Sequence, residues 1–175
     1  NLGQPLLRPG ARITAPLGAV APLSPAAADD GIESWNVMPP PRPGSPEQVY
    51  VMELAGDASG DTRVLVSGLA DDEALGMRFN KIALPCLSVW RNTPAEADGY
   101  AMGIEPGTNF PNPRTFEQQH GRAVNLKPGA KWRAAVTVAW HTDPQAIARE
   151  KESIAVIQQG AKAEVFAQPR GEWSK

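Results

Sequence analysis

Few residues in this 175-residue sequence pair a reactive side chain with a setting that could use it, and Glu105 is the clearest. The run Tyr100-Ala101-Met102-Gly103-Ile104 leads into it, and Pro106-Gly107 follows at once. A strand is therefore expected to end at this carboxylate, which would face solvent or a cleft. A carboxylate fixed at a strand end can act as a general base. Burial in a cleft would raise its pKa toward neutrality, where such a base works. The pattern alone also describes an ordinary solvated charge. Residues 106–121 then form a long irregular segment carrying Asn109, Phe110, Asn112, Arg114 and His120. A segment of that length inside a compact β domain is often a binding loop.

Other reactive types are sparse. His120 and His141 are the only histidines, and they lack the Cys or acidic partners at close spacing that a zinc site needs. Cys86, the only cysteine, lies in an apolar run and reads as a small buried hydrophobe. It excludes an internal disulfide and points to a reducing, cytoplasmic setting. The acidic segment 56–61 lacks the ligand number and spacing of a calcium loop and reads as a turn. No glycine-rich phosphate loop is present. A net charge of −2 gives no electrostatic reason for nucleic acid or an anionic membrane as partner. No apolar run is long enough to span a bilayer as a helix.

The elements that must position these residues are mostly strands. Glycine (16) and proline (18) are spread as punctuation between short apolar stretches, the pattern of many strands joined by turns. Residues 1–25 predict short strands or edge segments broken by prolines. Ala26–Gly31 predicts a loop or a single helical turn, and Pro39–Pro46 an extended surface loop. Glu47–Leu54 and Thr62–Ser67 flank the acidic turn and predict a β-hairpin. Gly76–Ile82 and Pro85–Asn92 predict further strands. Ala123–Leu126 and Trp132–Trp140 predict a second hairpin around Lys127-Pro128-Gly129-Ala130. Asp143-Pro144 is a helix-start signal, with a cap residue before Pro at the first helical position. A helix is expected from there to Gly160, and Ala163–Phe166 is a candidate last strand. The expected fold is all-β, an antiparallel sandwich with one late helix.

Several of these segments, in this order, resemble an aldose 1-epimerase (mutarotase) of the galactose mutarotase-like superfamily. Leu84–Asn92 is similar to that family's Pro-led strand ending in an aromatic and an Asn near the sugar. Gly103–Thr108 resembles the segment carrying its catalytic glutamate, and Leu126–Trp132 its Leu-x-Pro-Gly turn. Glu47-Gln48 falls where the family contacts sugar hydroxyls, and Asn1-Leu2-Gly3 resembles the close of its histidine motif. The resemblance spans about residues 1–142. It implies a large two-sheet fold of which residues 1–175, read as one domain, form the C-terminal half.

It also implies a reaction: interconversion of sugar anomers by general acid and base, with Glu105 as base and no metal or organic cofactor. Glu47, Gln48, Trp90, Arg91, Asn109 and Arg114 are then candidates to bind a small sugar substrate. Trp90 would offer its ring to a sugar face, and Arg114 would suit an acidic substituent. The family's acid is a histidine lying just before its Asn-Leu, a position that precedes Asn1. The chain opens without Met and without signal-peptide features, so the N-terminal half of the fold, or a partner chain, is expected to complete the site. The alternatives are a non-catalytic carbohydrate-binding sandwich and an assembly subunit completed by a partner.

Overall fold

In the computed structural model, which describes residues 1–159 and 162–175, two sheets pack face to face. Ten strands run β1 (Leu2–Gly3), β2 (Arg12–Thr14), β3 (Leu17–Pro22), β4 (Gln48–Leu54), β5 (Asp61–Ser67), β6 (Ala74–Asn80), β7 (Cys86–Asn92), β8 (Ala101–Gly107), β9 (Val136–His141) and β10 (Glu164–Val165). Among the described residues three α-helices join them: α1 (Pro25–Asp29), α2 (Arg114–Gln119) and α3 (Pro144–Gln158). The larger sheet has the order β1-β8-β7-β4-β3-β10, and the smaller one β2-β5-β6-β9. All neighbours are antiparallel except β10 on β3. This is the antiparallel sandwich with one late helix that the sequence predicts.

Because side chains alternate across a strand, each sheet has two surfaces. Between the sheets lies the main core, where Val20, Tyr50, Met52, Leu87, Val89 and Met102 of the larger sheet meet Ile13, Val64, Val66 and Phe79 of the smaller. The outer face of the smaller sheet packs Leu65 and Ala74 against Ile147 and Ile154 of α3. The outer face of the larger sheet carries a separate cluster in which Ala19, Ala21, Val51 and Cys86 meet Phe110 and Trp173.

Helix α3 starts where Asp143-Pro144 places it. The Asp143 carboxylate accepts from Gln145 N at 3.0 Å and Ala146 N at 3.2 Å, a cap of the kind that contributes about 1 kcal/mol. Gly160, expected to end it, lies outside the described residues.

Three expectations are corrected. β4 and β5 do not pair as a hairpin. β4 lies between β3 and β7, and β5 lies between β2 and β6 in the other sheet. The turn between them therefore crosses the roughly 10 Å that separates stacked sheets. Its Asp57 carboxylate accepts from Ser59 N, Ser59 Oγ and Asp61 N, which fixes the corner. The second hairpin does not form either: residues 123–126 are not a strand, and β9 begins only at Val136. Finally, the segment 106–121 is not wholly irregular: Pro106 and Gly107 continue β8, so the strand does not end at Glu105, and α2 follows.

Along β9, Val136, Val138 and Trp140 pair with Phe79, Met77 and Leu75, whose side chains join the core between the sheets. Yet all three remain exposed. A crevice lined by Asn1, Leu2, Leu75, Met77, Met102, Ile104 and Val138 runs between the sheets at this side. The sandwich is thus open along β1 and β9.

Candidate active site

Glu105 lies on β8 and is exposed. The register places it opposite Ser88 of β7, and places Gly103, two residues earlier, opposite Trp90. Residues directly opposite share a face, so Glu105, Gly103, Trp90 and Ser88 all belong to the outer face of the larger sheet. Gly103 leaves the space over its own Cα open. A Cβ built there would collide with Glu105 Oε1 and lie 3.1 Å from Asn1 Oδ1. The missing side chain is what lets the Glu105 carboxylate fold back over β8, beside the Asn1 amide.

Next to this pair, the Trp90 indole is half-buried, and its Nε1 donates to Glu47 Oε2 at 2.7 Å. Trp90 and Glu105 stand on adjacent strands with a diagonal offset, which sets them about 7–8 Å apart. Glu105, Trp90 and Glu47 therefore form one row of a carboxylate, an aromatic face and a second carboxylate.

Gln48 and Arg91 are next in sequence to Glu47 and Trp90, and for that reason point the other way. Both are buried, Arg91 completely. Arg91 Nη1 donates to Ser34 O and Val37 O, each at 2.7 Å. Its Nη2 donates to Asp30 Oδ2 at 2.9 Å and to Gln48 Oε1 and Tyr50 Oη at 2.7 Å. The guanidinium also stacks 4.7 Å over the Tyr50 ring. The structure does not bring these two residues to Glu105. The direct sugar contact expected of them is corrected to an internal tie, which fastens the 30–37 segment to the end of the larger sheet.

Asn109 and Arg114 both line a cavity of about 330 Å³, with Thr108, Asn112 and Glu117, just beyond the end of β8. Asn109 Nδ2 donates to Phe110 O at 2.7 Å, and Arg114 is exposed at the first position of α2. Beneath them Glu117 is buried and accepts from Arg122 Nε at 2.6 Å and Nη2 at 2.8 Å, from Asn112 Nδ2 at 2.8 Å and from Phe110 N at 3.2 Å. Burial pushes this carboxyl pKa up, but the hydrogen bonds from Arg122 and Asn112, with the Arg122 charge, outweigh it. The net position is below the ordinary glutamate value.

No hydrogen bond joins either histidine to Glu105, and the His120 Nδ1 lies 2.9 Å from Phe116 O. The His120 ring lies 4.2 Å from that of Phe116 at the end of α2. His141 pairs with Ala74 on β9, on the outer side of the other sheet. Cys86 is buried on the outer face, and burial pushes its thiol up to about 12, which keeps it protonated. Among the described residues, no group of three or more His, Cys, Asp or Glu is placed to hold a metal ion. No helix among them is long and apolar enough to cross a membrane.

Sequence reasoning did not single out Gly103, Ser88, Glu117 or Trp173 as parts of this region. Gly103 carried a usable signal, because a glycine inside a strand marks close approach by another group. The placement of Trp173 had none.

With that geometry in hand, comparison with known proteins places the chain. Residues 1–139 match the family described as a domain of unknown function, DUF4432. The chain belongs to this family. A crystal structure from Klebsiella pneumoniae subsp. pneumoniae MGH 78578, described as a "putative aldose 1-epimerase", superposes on this DUF4432 chain with a TM-score of 0.88 at 31% sequence identity. The match covers 95% of this chain and 43% of that one, so the chain spans less than half the length of its structural neighbour. No curated protein matches the sequence. The likeness to an aldose 1-epimerase read from the strand motifs thus extends to the fold.

Proposed function

We propose that this chain is the base-bearing part of a carbohydrate-active isomerase that interconverts the anomers of a free sugar. The observation that carries this reading is the row on the open outer face: Glu105 lies over Gly103 beside the Asn1 amide, with Trp90 and Glu47 in hydrogen contact next to it. An aromatic plane beside carboxylates suits a sugar, whose C–H face packs on the ring while its hydroxyls donate to oxygen acceptors.

In this mechanism Glu105 removes the proton of the anomeric hydroxyl. The electron pair forms the C1 carbonyl, the bond from C1 to the ring oxygen breaks, and an acid protonates that oxygen. Rotation about C1–C2 and reversal of the steps closes the ring on the opposite face. Each proton removed is returned, so general acid and base suffice. Trp90 orients the ring, Glu47 accepts from hydroxyls, and Asn109 and Arg114 contact the far end of the sugar.

In this reading the acid is supplied from beyond these residues, since neither histidine is bonded to Glu105 and His141 lies on the other sheet. The open side of the sandwich supports this, because the exposed Val136, Val138 and Trp140 offer an apolar seat for the rest of the fold or a partner chain. The length of the structural neighbour supports it as well. The same observations are what a binding or assembly role would need, and catalysis separates the readings. In the complete protein, Glu105→Gln is expected to lower the rate of anomer exchange, followed by polarimetry or NMR over a panel of free aldoses, by about 10²–10⁴-fold. Sugar binding should survive. Unchanged exchange in that variant would remove Glu105 from the mechanism.

A further inference from the structure

The loop that follows Glu105 is held by a distant part of the chain. Within residues 109–122 the bonds of Glu117 to Arg122, Asn112 and Phe110 are local and set the loop's own shape. They do not set its place on the sheet. Among the described residues, apart from the bond that Thr108 Oγ1 donates to its neighbour Asn109 Oδ1 at 3.1 Å, the hydrogen bonds that leave this segment run to the C-terminal tail. Asn112 Nδ2 donates to Trp173 O at 2.8 Å, and Lys175 N donates to Asn112 Oδ1 at 3.3 Å. The apolar anchor of the loop, Phe110, packs on Ala19, Ala21, Val51 and Cys86 of the sheet, and the tail completes that cluster. Phe110 is fully buried, and the Trp173 ring sits 5.1 Å from it.

The tail has fastenings of its own. Phe166 N donates to Val20 O, Ser174 Oγ donates to Leu23 O at 2.6 Å, and the Arg170 guanidinium lies 4.4 Å over both Phe166 and Trp173. These ties reach β3 and the residue after it, at the far side of the larger sheet from β8. The tail therefore bridges the outer face, from one edge of the sheet to the loop at the other. All of it lies beyond the residues matched to the family, which end at 139.

We infer that the C-terminal tail is a positioning strap for the sugar site, with Trp173 as its key residue, setting where Asn109 and Arg114 stand relative to Glu105. This rests on the function proposed above. Trp173 touches no substrate, so its removal acts on binding and leaves the chemical step in place.

The test uses the complete protein with Trp173→Ala and Trp173→Phe, and reads amide hydrogen exchange together with kinetics on the aldose panel. Trp173→Ala should speed exchange of residues 109–122 by about tenfold or more, while β7 and β8 stay protected. KM should rise by about tenfold, with kcat within about twofold. Trp173→Phe keeps the ring on Phe110 and should restore both. Unchanged protection of 109–122 in Trp173→Ala overturns the strap, and so does loosening of the loop with KM unchanged. If the unmodified protein exchanges no aldose, the proposed function fails and the exchange data alone decide whether the tail holds the loop.

Discussion

Trp90 and Arg91 are neighbours in sequence and stand on opposite faces of the larger sheet. Trp90 turns outward, half-buried, with one hydrogen bond to an exposed carboxylate. Arg91 turns inward, fully buried, with five hydrogen bonds closing around it. The same holds one strand over, where Glu47 is exposed and Gln48 is buried. The inner face spends its polar groups on one another and holds the fold together. On the outer face, Glu47 and Glu105 stay exposed and Trp90 half-buried. Substitutions on the two faces should therefore separate cleanly into losses of stability and losses of activity.

The largest effect is expected inside. Arg91→Met leaves Gln48, Tyr50 and Asp30 without their shared cation, and breaking a buried pair in this way costs about 3–5 kcal/mol. Chemical denaturation should show the midpoint falling with little change in slope. A loss below about 1 kcal/mol would mean that the inner network is not what holds the 30–37 segment.

Outside, Gly103→Ala should do the reverse. The new methyl group needs the space now held by Glu105 Oε1, and the glycine has no backbone angle that another residue would strain. Moving a reacting group by about 1 Å can cost about 100-fold in rate. Stability should stay within about 0.5 kcal/mol. Anomer exchange and thermal melting of the complete protein measure the two quantities, and a variant that loses stability but not rate would erase the distinction between the faces.

A smaller effect is expected from acid on the covering of the outer face. Glu117 has its folded-state pKa held below the unfolded value of 4.5. Its stabilisation is therefore complete above that value and is lost as pH falls through the folded pKa. Melting temperatures followed from neutral pH downward should drop in that window, and Glu117→Gln should flatten this part of the curve. The variant itself should cost about 1.5–3 kcal/mol at neutral pH, the range for hydrogen bonds to a charged group.

Local features of the fold were legible where local chemistry fixes them. The Asp143-Pro144 cap announces α3, and alternating apolar runs announce β4, β5, β7 and β8 within a residue or two. Glu105 was legible as a strand carboxylate, but not its place in the strand: Pro106 and Gly107, expected to stop β8, continue it and pair with Leu87 and Cys86. What could not be read was the partition of strands between sheets. β4 and β5 carry a hairpin's pattern, yet the turn between them is a corner, and only packing distinguishes the two. Gln48 and Arg91 were misplaced for a related reason. A binding motif names a stretch of sequence, whereas alternation sends every second residue of that stretch to the other face. The residues 123–126 failed to form a strand although their composition suits one, since a strand also needs a neighbour to pair with.

Synthesis of the chain imposes an order on these contacts. Asn112 waits for a partner 61 residues later before its bond to Trp173 O can form. At translation rates of about 5–20 residues per second, that is a delay of about 3–12 s after Asn112 is made. During this interval β7 and β8 can already pair, while Phe110 has no indole to cover it. The sheet can thus be assembled before the loop beside Glu105 is fastened, and a nascent chain would set the Glu105 carboxylate in place before its neighbouring loop.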